Sequence, residues 1–308
     1  YLFAVRYREY LYGLISIWFC TGEQYHIYRL YHLLKKVSIK NKICYNERCR
    51  KRKSTVEQKK NENSAGYYIE REDLQIMKCV GIIGAMEQEV ARLKEVMEDV
   101  SITTRANMDF YEGVLEGKKV VVVQSGIGKV NAGMCTQILA DLFDVTHIIN
   151  TGIAGSLDAQ IDIGDIVVST DVLQHDMDVR VFGYPLGEIP QLGTLSFPAD
   201  ERMASLAKSV CEKVNTEVKV FSGRIVSGDQ FICDKEVKDK LVEHFHPLCT
   251  EMEGAAIGQA AYLNEIPFVI LRAISDKADN SAEMDYPTFE KKAAEHCAKL
   301  VEEFIVEL

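Results

Sequence analysis

The sequence predicts a single α/β domain of three layers, in which helices cover both faces of a mixed, mostly parallel central sheet. Two observations carry this prediction. Apolar runs without alternation, at 79–83, 120–123 and 268–271, are typical of strands buried on both faces. Segments with helical spacing separate these runs, and alternation of strands with helices is typical of helix-covered parallel sheets. We assign this domain to residues 77–308.

The first 76 residues differ from the rest in charge and pattern. They carry 15 Lys and Arg against 8 Asp and Glu, whereas residues 77–308 carry 21 against 38. The stretch 49–63 is polar and has no apolar period, which predicts a basic, poorly ordered extension outside the core. A nucleic-acid-binding tail is the alternative interpretation. We expect Met77 to be the physiological start, and mass spectrometry of the native protein tests this.

The composition argues against several classes of function. The formal net charge is −10 and the body is acidic, so nucleic acid is not an expected partner. The apolar run 11–20 is about half the roughly 20 residues of a membrane helix, and 20–22 is a poor signal-peptide cleavage site. The 9 cysteines include no CxxC, which favours reduced thiols in a cytoplasmic protein. No spaced Cys/His cluster indicates a metal.

The remaining elements follow in order along the chain. The first strand, 79–83, leads into a helix at 86–98. Strands at 110–115 and 119–124 flank Glu116-Gly117, which is a hairpin signal and adds an antiparallel element. Further strands are predicted at 145–151, 165–170, 218–226, 248–251 and 268–276, and further helices at 129–143, 199–214, 234–244, 253–263 and 286–306.

Three strand ends open into turns of small residues, at 84–85, 125–128 and 151–155. Glycine at such positions lets the backbone approach a ligand closely. None is a Walker A loop, because Lys129 is followed by Val130, and none is a dinucleotide-binding GxGxxG. Triphosphate and dinucleotide ligands are therefore disfavoured.

Acidic side chains lie beside these turns. Glu89 is on the first turn of the first helix, Glu251 and Glu253 flank Met252 at a strand–helix junction, and Asp276 ends the strand 268–276. Taken singly, each acid is as well explained by helix capping or dipole compensation. Several acids and glycine-rich turns at the carboxyl edge of one sheet indicate a ligand site instead.

Six motifs in order resemble the bacterial 5′-methylthioadenosine/S-adenosylhomocysteine nucleosidases of the nucleoside phosphorylase superfamily. They are GIIGAMEQEV at 81–90, SGIGKVNA at 125–132, NTGIAGSL at 150–157, SGDQFI at 227–232, TEMEGAAI at 250–257 and RAISD at 272–276. The resemblance covers the whole body and none of 1–76. It implies a nucleoside phosphorylase-like fold and hydrolysis of adenine thionucleosides in methionine salvage, by a homodimer without cofactor or metal.

The resemblance also implies roles for individual residues. Asp276, held by Ser275, would protonate adenine N7, which makes adenine a better leaving group. Glu89 would deprotonate the attacking water, and Glu253 would accept both ribose hydroxyls. The other implied substrate-binding residues are Arg272 and Glu251 behind that carboxylate, Met252 at the ribose, Phe231 and the Ile232 backbone at adenine, Ala154 and Gly155 in the third turn, and Met86, Ile127, Val179, Phe182 and Tyr286 at the thioalkyl end, some of them from the partner subunit.

The chain departs from the family pattern at two of these places. Tyr286 stands where the family often has Phe, and Ile153 stands where it often has Ser. Ile153 removes a hydroxyl near the expected ribosyl or nucleophile site. This change bears on the positioning of water and leaves the reaction class intact.

Three alternatives stay open. A purine nucleoside phosphorylase would need basic groups at the first loop, which here reads 85–89 AMEQE and is acidic. A futalosine-type hydrolase would cleave a different adenine nucleoside. A non-catalytic nucleoside-binding or storage protein on the same fold is expected to lack Glu89 or Asp276, and both are present.

Overall fold

The computed structural model describes residues 79–279 and 281–308. The predicted extension 1–76, the predicted start at Met77 and the domain boundary between them lie outside the described residues. The strands are β1 Cys79–Gly84, β2 Glu98–Arg105, β3 Met108–Leu115, β4 Lys118–Gln124, β5 His147–Ser156, β6 Ile166–Gln174, β7 Phe197–Pro198, β8 Val220–Ser227, β9 Cys249–Glu251 and β10 Phe268–Asp276. The helices are α1 Glu87–Val96, α2 Lys129–Leu142, α3 Glu201–Val214, α4 Lys235–Phe245, α5 Gly254–Leu263 and α6 Ala282–Glu307.

The strands form one mixed sheet in the order β10-β6-β8-β9-β5-β1-β4-β3-β2, with β7 beside β6. Strand β10 also pairs with β5, so β5, β10, β6, β8 and β9 close into a ring. Parallel pairing joins β1 to β4 and β5, and β5 to β10. Strand β6 follows β5 without a helical crossover and reverses direction, and β8 and β9 keep that reversed direction.

Helices cover both faces of this sheet, which confirms the three-layer prediction. Along β10, Phe268 and Ile270 pack in the cluster that includes α2 and α5. The alternate residues, Val269 and Leu271, pack in the cluster that includes α1, α3 and α6. Residues 268–271 of β10 are buried, as the apolar run predicts, and burial extends over the polar residues 272–276 as well. Two covered faces leave the ends of the strands as the place for a site.

Four strands differ from the sequence prediction. The two-residue β7 was not predicted, and β6 continues to Gln174 beyond its predicted end at 170. Strand β2 was not predicted, because its residues are almost all exposed and its sequence, EDVSITTR, lacks an apolar alternation. Strand β5 was expected to end near Thr151, but it continues to Ser156 because 151–155 pair with β10. Together with β3, β4 and the reversed strands, β2 gives the sheet more antiparallel pairing than the one predicted hairpin.

Other general predictions concern thiols and membranes. The six cysteines of the described ranges are all free, and five of them are buried. Within residues 79–279 and 281–308, no helix is both long and apolar enough to span a bilayer.

Candidate active site

A cavity of about 450 Å³ lies where β5, β9 and β10 end. It brings together both predicted catalytic residues, Glu89 and Asp276. Ten of the predicted substrate-binding residues also line it, namely Met86, Ile127, Ala154, Gly155, Phe231, Glu251, Met252, Glu253, Ser275 and Tyr286. Ala85, Ile153 and Thr250 complete the lining.

Glu89 is the third residue of α1, and its carboxylate folds back over the start of the helix. Its Oε2 accepts hydrogen bonds from the backbone N–H groups of Ala85 at 2.7 Å and Met86 at 2.9 Å. Its Oε1 accepts one from the N–H of Ile153, at 3.1 Å. A carboxylate has about four acceptor positions, so one position on Oε1 is left for a ligand. Ile153 contributes through its backbone, so the Ile side chain leaves this contact unaffected.

Burial raises the pKa of Glu89 above its usual range, and this effect outweighs the lowering by Arg272 and by the three N–H donors. The helix N-terminus alone would favour the ionised form. The side chain is only 3% exposed, however, and loss of hydration disfavours its charge. A carboxylate with a raised pKa is a suitable general base near neutral pH.

Arg272 lies behind the cavity wall and holds the acids in place. Its Nη2 donates to Glu251 Oε2 and, at 2.6 Å, to Asn150 Oδ1. The same nitrogen lies 3.8 Å from Glu253 Oε2. Because the Arg272 side chain is 1% exposed, its charge requires buried carboxylates as partners. The guanidinium is therefore placed to support the acids from behind the cavity lining.

Glu251 is bound on both oxygens by the protein itself. Its Oε1 accepts a hydrogen bond from the Ser227 hydroxyl. Its Oε2 accepts from the backbone N–H groups of Glu253 at 3.0 Å and Gly254 at 2.8 Å. These contacts fix the start of α5 and favour a supporting role for Glu251 over direct contact with a substrate.

Glu253 precedes α5 and faces the cavity with oxygens that are less engaged. Its Oε1 accepts a hydrogen bond from the N–H of Gly128 at 2.8 Å. Burial raises the pKa of Glu253, the charge of Glu251 adds to this rise, and Arg272 opposes it. The carboxyl keeps acceptor positions for a ligand on both oxygens.

Asp276 ends β10 and is 2% exposed. Its Oδ2 accepts a hydrogen bond from the Ser275 hydroxyl at 2.8 Å, and its Oδ1 accepts one from the N–H of Ala278 at 2.8 Å. On the neighbouring strand, a Cβ added at Gly155 would come within 2.8 Å of Oδ1. These contacts hold the orientation of the carboxyl at the cavity wall.

Gly152 shows why small residues occupy the end of β5. A Cβ added there would overlap both Arg272 Nη1 and Glu89 Oε1. The stretch 151–155 was interpreted as a turn. In the structure, however, Gly152 lies within the buried strand β5, and the side chains of Arg272 and Glu89 approach it closely.

Aromatic and apolar side chains form the outer wall of the cavity. The ring of Phe231 meets the ring of Tyr286 edge-on, with centroids 5.6 Å apart. The Tyr286 hydroxyl donates to Met86 Sδ at 3.3 Å. Phe231 is 47% exposed and Ile127 is 54% exposed, so this side of the cavity is open.

Three other predicted site residues do not line the cavity of the chain. Ile232 follows Phe231 but packs inward with Leu241 on α4. Val179 and Phe182 lie in the loop after β6, where Phe182 is 77% exposed in a 3-10 turn. This loop runs over the surface, so the chain by itself does not bring these two side chains to the site.

Sequence reasoning missed several residues of the site. Asn150 is fully buried and links Arg272 to the carbonyl of Ile83. Its signal was an amide within the apolar run of β5. Thr250 lines the cavity beside Glu251, and only its place in β9 indicates this. Residues 79–279 and 281–308 contain no group of three or more His, Cys, Asp or Glu that could hold a metal ion.

Comparison with known proteins agrees with this geometry. The family model of the phosphorylase superfamily matches residues 80–306. The 5′-methylthioadenosine/S-adenosylhomocysteine nucleosidase of Shewanella sediminis is 44% identical over 223 residues, which are 72% of this chain and 96% of that protein.

Two solved structures are also similar. The Neisseria meningitidis nucleosidase of the same name, in complex with methylthio-immucillin-A, has a TM-score of 0.73 at 41% identity and covers 75% of this chain and 100% of its own. The futalosine hydrolase of Helicobacter pylori has a TM-score of 0.72 at 34% identity, over 75% and 99%. The fold, the acids around Arg272 and these matches lead to one conclusion: the chain belongs to the phosphorylase superfamily and, within it, to the 5′-methylthioadenosine/S-adenosylhomocysteine nucleosidases.

Proposed function

We propose that the protein hydrolyses the N-glycosidic bond of 5′-methylthioadenosine and of S-adenosylhomocysteine, releasing adenine and the thioribose product. One observation carries this proposal. A single cavity is lined by Glu89, Glu253 and Asp276, and no Lys or Arg belongs to the part of its lining that the structure describes. Relatives that bear the name of this nucleosidase support the same conclusion.

Asp276 is the proposed acid. Breaking the glycosidic bond leaves negative charge on adenine, and a proton delivered to N7 neutralises it. A protonated Asp276 carries one O–H to donate, and the Ser275 hydroxyl at 2.8 Å holds its orientation. General acid catalysis of this kind contributes about 10²–10⁴-fold to the rate.

Glu89 is the proposed base. As adenine leaves, the ribose gains oxocarbenium character, as in other glycoside cleavage. Water then attacks the anomeric carbon and must lose a proton. The open acceptor position on Glu89 Oε1 can receive that proton, and the raised pKa of Glu89 suits the transfer.

Glu253 is the proposed ribose clamp. Two hydroxyls at C2′ and C3′ need two acceptors, and the two oxygens of one carboxylate match that spacing. Arg272 Nη2 lies 3.8 Å from this carboxylate, Glu251 accepts a hydrogen bond from the backbone N–H of Glu253, and Met252 lines the cavity next to it. Hydrogen bonds donated by the two ribose hydroxyls would favour the ionised form of Glu253 against its raised pKa, and such charge-assisted hydrogen bonds are about twice as strong as neutral ones.

The apolar wall is proposed to bind the two ends of the substrate. Phe231 offers an aromatic face to adenine, and the backbone of Ile232 follows it directly. Met86, Ile127 and Tyr286 suit the thioalkyl group. We further propose a homodimer in which Val179 and Phe182 complete this end of the neighbouring cavity, which light scattering on the purified protein tests.

Water is favoured over phosphate as the nucleophile. Phosphate binding requires cationic donors, and the first turn of α1 supplies Glu87 and Glu89 instead. Arg272 is committed to Asn150, Glu251 and Glu253. The described lining of the cavity contains no Lys or Arg, so phosphate would find no counter-charge at the position proposed for the attacking water.

The experiment is adenine release from 5′-methylthioadenosine, S-adenosylhomocysteine and a futalosine-type nucleoside by the purified protein. We expect turnover of both thionucleosides and little turnover of the third. The likeness to a futalosine hydrolase makes this third substrate the sharpest rival. Preferential cleavage of the futalosine-type nucleoside would overturn the proposal. Location in the cytoplasm stays a prediction from the sequence.

A further inference from the structure

Lys129 follows the glycine-containing loop 125–128 and is the first residue of α2. Its ammonium donates to Asp176 Oδ1 at 2.5 Å and to Gln174 Oε1 at 3.0 Å. It also lies 4.0 Å from Asp229 Oδ2. The Lys129 and Asp176 side chains are only 16% and 18% exposed, so this ion pair is largely shielded from water. The lysine is therefore bound by the protein's own acids.

The same residues are linked through the backbone. Asp229 Oδ1 accepts a hydrogen bond from the N–H of Lys129 at 2.8 Å. The N–H of Asp229 donates to Asp176 Oδ2 at 3.0 Å. Burial acts to raise the pKa of Asp176, but the hydrogen bonds from Lys129 and Asp229 hold it below its usual value. Three separate segments, 125–129, 174–176 and 228–231, thus meet at one ammonium group.

Two of these segments carry groups of the cavity. In the first, Gly128 donates its N–H to Glu253, the proposed ribose clamp. In the third, Phe231 lies two residues after Asp229 and is 47% exposed, so its own burial does little to hold the loop. Residues 228–234 contain neither helix nor strand, so contacts with neighbours must position them.

We propose that Lys129 is a positioning residue. Through Asp176 and Asp229 it holds the loop 228–234, which carries Phe231, against the loop 125–128, and so sets the affinity for the adenine nucleoside. The identity of the substrate in this statement rests on the proposed function. Lys129 does not belong to the lining of the cavity. Its loss should weaken the ground-state complex and the transition state alike, which raises KM and leaves kcat nearly unchanged.

The first test is Lys129→Met, with Lys129→Arg as the conservative variant. We expect Lys129→Met to raise KM for 5′-methylthioadenosine roughly tenfold, with kcat within about threefold of wild type, since it removes a charge-assisted contact. Lys129→Arg should recover part of the loss. Lys94→Met is the matched control, because Lys94 is 11% exposed and paired with Glu87 away from the cavity lining.

The second test is Asp229→Ala, alone and combined with Lys129→Met. Asp229 is 52% exposed, so this variant should fold even if Lys129→Met does not. Both single changes should raise KM and weaken adenine binding measured by calorimetry. The loss of affinity in the double variant should be smaller than the sum of the two single losses, because both side chains belong to one network with Asp176.

The outcomes separate the two claims. If the wild-type protein released no adenine from thionucleosides, the proposed function would be refuted. The positioning role of Lys129 would still be tested, because adenine affinity can be measured without turnover. A lower melting temperature with unchanged KM and adenine affinity in both single variants would overturn the positioning role. Additive effects in the double variant would overturn it as well.

Discussion

Replacing Glu89 by Gln tests the proposed base directly. Three backbone N–H groups, those of Ala85, Met86 and Ile153, donate to the Glu89 carboxylate. The carboxamide oxygen of Gln accepts two of them at most, and its NH₂ group accepts none. The variant also cannot take a proton from water. We therefore expect adenine release to fall about 10²–10⁴-fold.

The expected change in stability is small, because two effects oppose each other. One buried N–H loses its acceptor, which costs about 1–3 kcal/mol. At neutral pH, however, the neutral amide removes the cost of burying a charge, which is the cost that raises the pKa of Glu89. We expect a melting temperature within about 5 °C of wild type.

The assay combines adenine release, melting temperature and affinity for a non-hydrolysable thionucleoside analogue. Glu87→Gln is the matched control, because Glu87 lies on the same helical turn, is 56% exposed and pairs with Lys94. The control should keep full activity. If Glu89→Gln also kept near-normal turnover, Glu89 would be only a helix-end charge, and another group would have to activate the water.

Three further changes test other parts of the site. Asp276→Asn should fold and lose about 10²–10⁴-fold in adenine release, and a rate within threefold or so of wild type would remove it from the mechanism. The raised pKa of Glu253 means that this side chain stabilises the fold below the usual Glu pKa and loses this contribution as pH rises. The melting temperature of Glu253→Gln, relative to wild type, should therefore increase from pH 5 to pH 8.5. A constant difference would contradict this. Gly152→Ala should lower the free energy of unfolding by about 1–3 kcal/mol and remove most of the activity, because the added Cβ overpacks the site. Gly133→Ala is the control, because a Cβ at Gly133 meets open space. Equal melting temperatures of the two variants would refute the packing argument.

The sequence predicts the parts of this molecule that local chemistry determines. Apolar runs identify the buried strands, and β10 is buried along its whole length. The motifs place Glu89 on the first turn of a helix, Glu253 at a strand–helix junction and Asp276 at a strand end, and the structure brings these side chains to one cavity. These features depend on spacing along the chain, which the sequence displays directly.

The remaining features depend on contacts between distant segments. The link from Asn150 to Arg272 joins residues far apart in the chain, and the closure of β10 onto β5 is likewise non-local. The rise in the pKa of Glu89 is also not visible in the sequence, because a helix position indicates the dipole but not the depth of burial. The surface position of Phe182 follows from the path of a loop, which no periodicity encodes.

The most direct test of the account follows the oxygen of water into the product. The purified protein is incubated with 5′-methylthioadenosine in ¹⁸O-labelled water, with and without phosphate, and the sugar product is analysed by mass spectrometry. Because the acidic lining favours water over phosphate, we predict one labelled oxygen on the anomeric carbon of methylthioribose, at equal rates in both buffers. An unlabelled sugar phosphate, formed only when phosphate is present, would contradict the proposed hydrolysis.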